Sequence, residues 1–254
     1  MLLVIDVGNT ETVLGVFDGS DLAAHWRVTT VRGRTRDEYR LLLGGMLEME
    51  GYGRARLTAV AISSVVPPAT QALRDVAPFL ADGPVTVVGP GVKTGIPILI
   101  DNPREVGADR IVNAVAAARL YGTPAVVVDF GTSTNFDVVS RDAEYIGGVI
   151  STGLEVSQEA LIRATAALRR VELTPPRSVI GKGTVEAIQS GLLYGHAGLV
   201  DGIMNRILAE LGSETMTLAT GGLASTIVPY CESVDTVDEF LTLHGLRLIA
   251  EMNQ

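Results

Sequence analysis

Two apolar runs of strand length stop abruptly at an acid followed closely by a glycine, one at the start of the chain and one at its middle. Residues 2–5 lead into Asp6-Val7-Gly8-Asn9-Thr10, and a second β-prone run, Glu11-Thr12-Val13 to Phe17, follows at once. The pattern predicts a hairpin whose tip carries Asp6 to Thr10. Residues 126–128 lead in the same way into Asp129-Phe130-Gly131-Thr132-Ser133-Thr134-Asn135, and strand character resumes to Val139. Asp6 aligns with Asp129, Gly8 with Gly131 and Thr10 with Ser133. One such tip alone reads more readily as an ordinary turn, because Gly, Asn and Asp are turn residues. A second copy points to ligand binding by duplicated domains, since glycine admits close backbone approach and small side chains leave N–H groups free for an anion.

Between and after the copies the period changes. Residues 22–30 read as a third strand. Thr35-Arg36-Asp37-Glu38 is a capping box ahead of Tyr39, Leu42, Leu43, Met46 and Leu47, which are spaced for one buried helix face. Residues 57–65 form the next strand, Pro67-Pro68 opens a helix, and 85–88 is a short strand. Residues 89–103 lack periodicity, and 103–122 reads as a helix with Asp109-Arg110 in its early turns. In the second half, 145–150 supplies a third strand and 154–168 a helix. Residues 184–211 are a long helical region interrupted by Gly191, Gly195 and Gly198. A strand at 216–219 runs into Thr220-Gly221-Gly222, and 241–251 closes the chain as a helix. Three strands followed by helix, strand, helix, strand is the ribonuclease-H-like α/β order. Two domains are expected, 1–122 and 123–254, with a boundary near 121–124 that carries no low-complexity linker.

Composition narrows the chemistry. The chain has 254 residues, 47% of them hydrophobic and 19% charged, which is enough for a real core. A net charge of −9 argues against a nucleic-acid or membrane-surface partner, though not against a small anion held by local groups. The single Cys231 excludes an internal disulfide, and His25, His196 and His244 are scattered, against a zinc site. No apolar stretch reaches membrane-spanning length, so a soluble cytoplasmic protein is expected. Arg32, Arg34, Arg36 and Arg40 flank the first helix start and read mainly as a solvated face. No Walker A motif occurs: Gly181-Lys182-Gly183-Thr184 lacks the upstream glycine. No nucleophile signature stands out either. Acid-plus-glycine tips remain, and they point to phosphoryl transfer, which depends on positioning, a metal ion and charge stabilisation.

With these residues in view the chain resembles the type III pantothenate kinases of the actin/hexokinase/acetate-kinase superfamily. The matching segments are the Asp6–Thr10 tip, Asp101-Asn102-Pro103-Arg104-Glu105-Val106-Gly107-Ala108-Asp109-Arg110, and Asp129-Phe130-Gly131-Thr132. Gly147-Gly148, Gly181-Lys182-Gly183-Thr184, Thr220-Gly221-Gly222 and the closing Leu241-Thr242-Leu243-His244-Gly245-Leu246-Arg247-Leu248 match as well. The tips are shared across the superfamily, and the Asn-Pro-x-x-x-Gly-Ala-Asp-Arg block selects the family.

The resemblance implies two ribonuclease-H-like domains of the actin/hexokinase-type ATPase fold with a nucleotide cleft between them. It implies ATP-dependent phosphorylation of pantothenate to 4′-phosphopantothenate, the first step of coenzyme A biosynthesis, by a homodimer. Carried over residue by residue, it implies ATP binding by Asp6, Val7, Gly8, Asn9, Thr10, Glu11, Thr12, Val13 and Thr132, with Asp6 near Mg²⁺. Asp109 is the implied general base, and Gly107, Ala108, Asp109 and Arg110 the implied pantothenate site. Asp129 is the implied ligand of a monovalent cation, K⁺ or NH₄⁺, and Thr184 is implied to reach pantothenate across the dimer interface. Without the family, Asp109 reads as a first-turn acid favoured by the helix dipole and Thr184 as a helix N-cap. Thr220-Gly221-Gly222 reads either as part of an adenosine pocket or as a plain turn. The chain departs from the family pattern at Asn135, at Ser151-Thr152-Gly153, at Gly183 and at Ile100, where many members carry Tyr. Two rival readings accompany these departures: a regulatory protein that kept the fold, and a kinase for a different small alcohol.

Overall fold

The computed structural model describes residues 1–212 and 214–254. Within them the chain forms two compact units, residues 1–116 with 241–254, and residues 117–240.

The first unit is built on a five-stranded sheet of order β3-β2-β1-β4-β5, from β1 (Leu2–Val7), β2 (Glu11–Asp18), β3 (Asp21–Thr29), β4 (Ala59–Ser64) and β5 (Val85–Val87). β1 pairs antiparallel with β2 and parallel with β4, placing Asp6 opposite Val13 on one side and Ser63 on the other. Alternation along β1 sends Leu3, Ile5 and Val7 to one face. There they pack with Tyr39, Leu43 and Leu47 of α1 (Arg36–Met49) and with Leu73, Val76 and Leu80 of α2 (Pro67–Leu80). Each such side chain, taken fully from water, contributes about 1.5–3 kcal/mol. The capping box at the start of α1 is present: Glu38 N–H donates to Thr35 Oγ1 at 3.4 Å and Thr35 N–H donates to Glu38 Oε2 at 2.7 Å.

The opposite face, carrying Val4 and Asp6, is covered from far along the chain. α7 (Leu241–Met252) packs against β1, β2 and β4 with Leu241, Leu246 and Ile249 buried. α7 also lies close on the N-terminal part of α3 (Ala108–Leu120), where Thr242 Oγ1 donates to Asn113 Oδ1 at 2.8 Å. The helix expected over 103–122 is two elements: a 3₁₀ turn, Pro103–Glu105, and then α3. Asn102 causes the break. Its Oδ1 accepts from Arg104 N–H at 3.3 Å and its Nδ2 donates to Glu105 Oε1 at 2.6 Å, closing the short turn before Gly107.

The second unit repeats the plan. β6 (Ala125–Phe130), β7 (Ser133–Val139), β8 (Tyr145–Thr152), β9 (Met216–Thr220) and β10 (Thr236–Val237) form a sheet of order β10-β9-β6-β7-β8. Read from β8, this order mirrors β3-β2-β1-β4-β5 strand for strand. Val126, Val128, Phe130 and Phe136 pack with Leu154 of α4 (Leu154–Ala164) and with Leu192, Leu193, Val200 and Met204 of α5 (Thr184–Leu211). Ala224 and Ile227 of the short α6 (Ala224–Ile227) complete the cluster. α5 runs unbroken through Gly191, Gly195 and Gly198, and α4 stops four residues short of the expected end. Among the described residues no helix is long and apolar enough to cross a membrane.

Candidate active site

In the first unit the β1–β2 turn offers backbone more than side chains. Gly8 N–H donates to Glu11 O at 2.9 Å and the turn is tied to β3 by Thr30 N–H to Thr10 O at 2.9 Å. Val7 is core, and Thr12 is fully buried with its hydroxyl hydrogen-bonded to that of Thr30 at 2.8 Å. Glu11 is held by Arg27 at 3.0 Å. Asn9 Oδ1 accepts from Arg32 Nη2 at 3.2 Å. Of the residues Asp6 to Val13, Val7, Glu11 and Thr12 thus have side chains committed to the fold, and backbone N–H groups are what the turn can present to an anion. The arginines divide: Arg36 and Arg40 lie over Phe79 and Arg34 over Tyr39, whereas Arg32 sits at the turn itself.

Asp109 stands in the first turn of α3 at the same end of the first sheet. Val65 follows β4 directly, its N–H donates to Val7 O at 3.1 Å, and a Cβ built on Gly107 would lie 3.4 Å from Val65 Cγ1. The same Cβ would strike the Asp109 carboxylate, so residue 107 has to be glycine for that carboxylate to lie where it does. Asp109 Oδ1 accepts from Arg110 N–H at 2.8 Å. Burial pushes the Asp109 carboxyl above its ordinary value, opposed by that N–H and by the Arg110 guanidinium. The result is a carboxylate more basic than an exposed aspartate, with a rigid cationic fork beside it. Ile100, where many family members carry Tyr, is half-buried in the loop before Asn102.

In the second unit Asp129 is the penultimate residue of β6, paired in register with Asn135 of β7 and Thr220 of β9. Gly221 crosses close over this end: a Cβ there would lie 2.7 Å from Phe130 N and O and 2.5 Å from Asp129 Oδ1. The Thr132 carbonyl accepts from Gly153 N–H at 3.2 Å, a main-chain bond that ties the end of β8 to this tip. Asn135 Oδ1 is buried without a hydrogen-bond partner, on the sheet face that carries Asp129. A carboxylate with a spare amide oxygen on the same face is an all-oxygen donor set, which fits a hard monovalent cation.

Thr184 is the first residue of α5, exposed, and the N-cap is Gly183 with no side-chain cap bond, so the N-cap reading of Thr184 does not hold. Val179, Ile180 and Val185 around it are 66%, 82% and 56% exposed. Three residues received no site role from the sequence: Ser63, Asn135, noted there only as a departure from the family pattern, and His196, noted only as one of three scattered histidines. The His196 imidazole sits under the second tip with Nε2 2.9 Å from Thr134 Oγ1, and burial lowers its pKa, keeping it neutral. Their spacing in the chain carries no signal, because the placement of Ser63 and Asn135 arises from strand register and that of His196 from the packing of α5 against β7. Cys231, with its thiol pushed up to about 12 by burial and by Asp201, is no nucleophile at neutral pH.

Comparison with known proteins bears on both units. The family model described as type III pantothenate kinase matches residues 2–206. A type III pantothenate kinase from Frankia alni is 58% identical over 254 residues, covering all of both chains, and one from Streptomyces coelicolor is 52% identical over all of this chain and 98% of its own. Among solved structures, the (R)-2-hydroxyglutaryl-CoA dehydratase component A of Acidaminococcus fermentans superposes with a TM-score of 0.58 at 16% identity. It covers all of this chain and 99% of its own. The inorganic polyphosphate/ATP-glucomannokinase of an Arthrobacter superposes with a TM-score of 0.52 at 15% identity over 98% of both chains. These two show likeness of fold alone.

Proposed function

The chain belongs to the type III pantothenate kinase family, catalysing ATP-dependent phosphorylation of pantothenate towards coenzyme A, and from that premise we propose how its own residues divide the work. The observation that carries the reading is the Asp109 carboxylate, seated on Gly107 at the end of the sheet that bears the Asp6 turn. The primary hydroxyl of pantothenate attacks the γ-phosphorus of ATP, the bond to the bridging oxygen of ADP breaks, and the hydroxyl proton passes to Asp109. In a loose phosphoryl-transfer transition state that proton leaves late, so a carboxylate serves as acceptor and orienter. Arg110 offers paired N–H donors to the pantothenate carboxylate. The backbone of residues 6–13 and Thr132 receive the phosphates of ATP. Mg²⁺, which Asp6 would hold, neutralises charge on the phosphates when bound.

Asp129 with Asn135 Oδ1 forms the place for K⁺ or NH₄⁺. Turnover of ATP is expected to depend on pantothenate and to be faster in K⁺ than in Na⁺, with the difference abolished in Asp129→Asn. Equal stimulation by K⁺ in that variant would remove Asp129 from the cation site, and no pantothenate dependence in the native chain would remove the reading as a whole.

The exposed Val179, Ile180 and Val185 beside Thr184 are best explained by a second copy of the chain covering them, which also brings Thr184 to a neighbouring pantothenate. Light scattering is expected to give twice the 26.8 kDa of one chain. Ile180→Glu is expected to return the single mass and to raise the KM for pantothenate. A native single mass would end this assignment.

A further inference from the structure

The adjacent serines at the end of β4 have opposite fates. Strand alternation sends Ser63 and Ser64 to opposite faces of the sheet. Ser64 is fully used: its Oγ accepts from Val66 N–H at 3.1 Å and from the Thr70 hydroxyl at 2.7 Å, tying β4 to the start of α2. Ser63 is completely buried, and its Oγ has no hydrogen-bond partner. A buried hydroxyl left unpaired costs stability, and an alanine would fill nearly the same space without that cost. A requirement for a small residue therefore does not account for it.

Register shows where the hydroxyl points. Ser63 is the direct cross-strand partner of Asp6, on the same sheet face, with the strands about 4.8 Å apart. The two side chains are neighbours, yet Ser63 is not hydrogen-bonded to Asp6. A hydroxyl donating to one carboxylate oxygen fixes the plane of the carboxylate and leaves the other oxygen directed elsewhere, and such a charge-assisted bond is stronger than a neutral one.

We propose that Ser63 is a positioning residue for Asp6, its O–H donating to the Asp6 carboxylate when magnesium-bound ATP occupies the first turn. This rests on the reading of Asp6 as the acid that meets the metal of the nucleotide. A site of this kind gives up stability in the empty protein for order in the loaded one.

The test compares native protein, Ser63→Ala and Asp6→Asn. Thermal unfolding is followed without ligand, and calorimetric binding of ATP is measured both with Mg²⁺ and with EDTA. The expected result for Ser63→Ala is a melting temperature equal to or above native, MgATP affinity lower by about 10–100-fold, unchanged binding of ATP in EDTA, and an unchanged KM for pantothenate. Ser63→Cys, a weaker donor of similar size, is expected to fall between. Native MgATP affinity in Ser63→Ala, alongside weakened binding in Asp6→Asn, overturns the role of Ser63 alone. Native affinity in Asp6→Asn overturns the reading of Asp6 on which it rests. A lower melting temperature for Ser63→Ala, with equal loss of ATP binding with and without Mg²⁺, marks the serine as purely structural and overturns the proposal too.

Discussion

Asp109→Asn is expected to fold as the native chain does and to turn over about 10²–10⁴-fold more slowly, the range lost with a positioned general base. An amide of the same shape keeps an oxygen to accept from Arg110 N–H, so the helix start is undisturbed. It cannot take the hydroxyl proton. The loss is therefore expected in kcat with the KM for ATP little changed, and ADP release against pantothenate concentration reads both. Turnover near native would remove Asp109 from the chemistry. The same carboxyl sets a pH dependence. Burial raises its pKa and the Arg110 guanidinium lowers it, and only the unprotonated form accepts a proton, so kcat/KM falls as pH falls through that pKa. Arg110→Met withdraws the lowering influence and is expected to move the acid limb to higher pH. For the fold the dependence runs the other way: with a raised pKa, the stability this group contributes is full at low pH and is lost as the carboxyl ionises.

The second large effect is expected at Gly221, where the backbone has φ 92° and passes against Asp129 and Phe130. Gly221→Ala brings together a left-handed conformation that side chains resist and an overlap with main-chain atoms that cannot swing aside. The two together are expected to cost about 2–5 kcal/mol, or roughly 4–20 °C in melting temperature for a chain of this size. Gly45→Ala is the matched comparison. Gly45 is exposed within α1, with open space where the methyl would go, and the change is expected to stabilise by about 0.5–1 kcal/mol. Scanning calorimetry on the two variants decides it. If Gly221→Ala melts with the native chain, the close passage of residue 221 over the β6 end is not what holds that end in place.

Most strands were legible because their cores alternate cleanly: both hairpins, the β-α-β-α-β remainder of the first unit and the capping box at Thr35 are all local patterns, whereas the two-residue β10 of the second unit is too short to show one. The start of α3 was less so. Apolar spacing runs through residues 103–122, and only the side-chain bonds of Asn102 and the contact of Gly107 with Asp109 explain why a separate turn precedes the helix. Gly191, Gly195 and Gly198 suggested interruption, each costing about 1 kcal/mol against alanine in a helix. Burial of Leu192, Leu193, Ala197, Val200 and Met204 against the second sheet outweighs that and keeps α5 whole. Asp6 and Asp129 stood out from residue type and the repeated tip alone, whereas Asp109, an ordinary acid in a helix's first turn, took its role only from the family block around it. Ser63 and Asn135 could not be given a role in either way: what distinguishes them is an oxygen lacking a partner, and a list of residues does not contain that.

The packing of α7 on β1 and β4 has a consequence for biosynthesis. Residues 241–254 are translated after all of residues 117–240, yet they cover the side of the first sheet from which Asp6 and Ser63 project. The nascent sheet of the first unit must therefore wait with Val4 and Gly15 bare until residues 241–254 have been made and supply Leu243. Loss of the final helix by premature termination would leave the later unit with all its strands and the earlier one with an open apolar side, a substrate for chaperones and proteases.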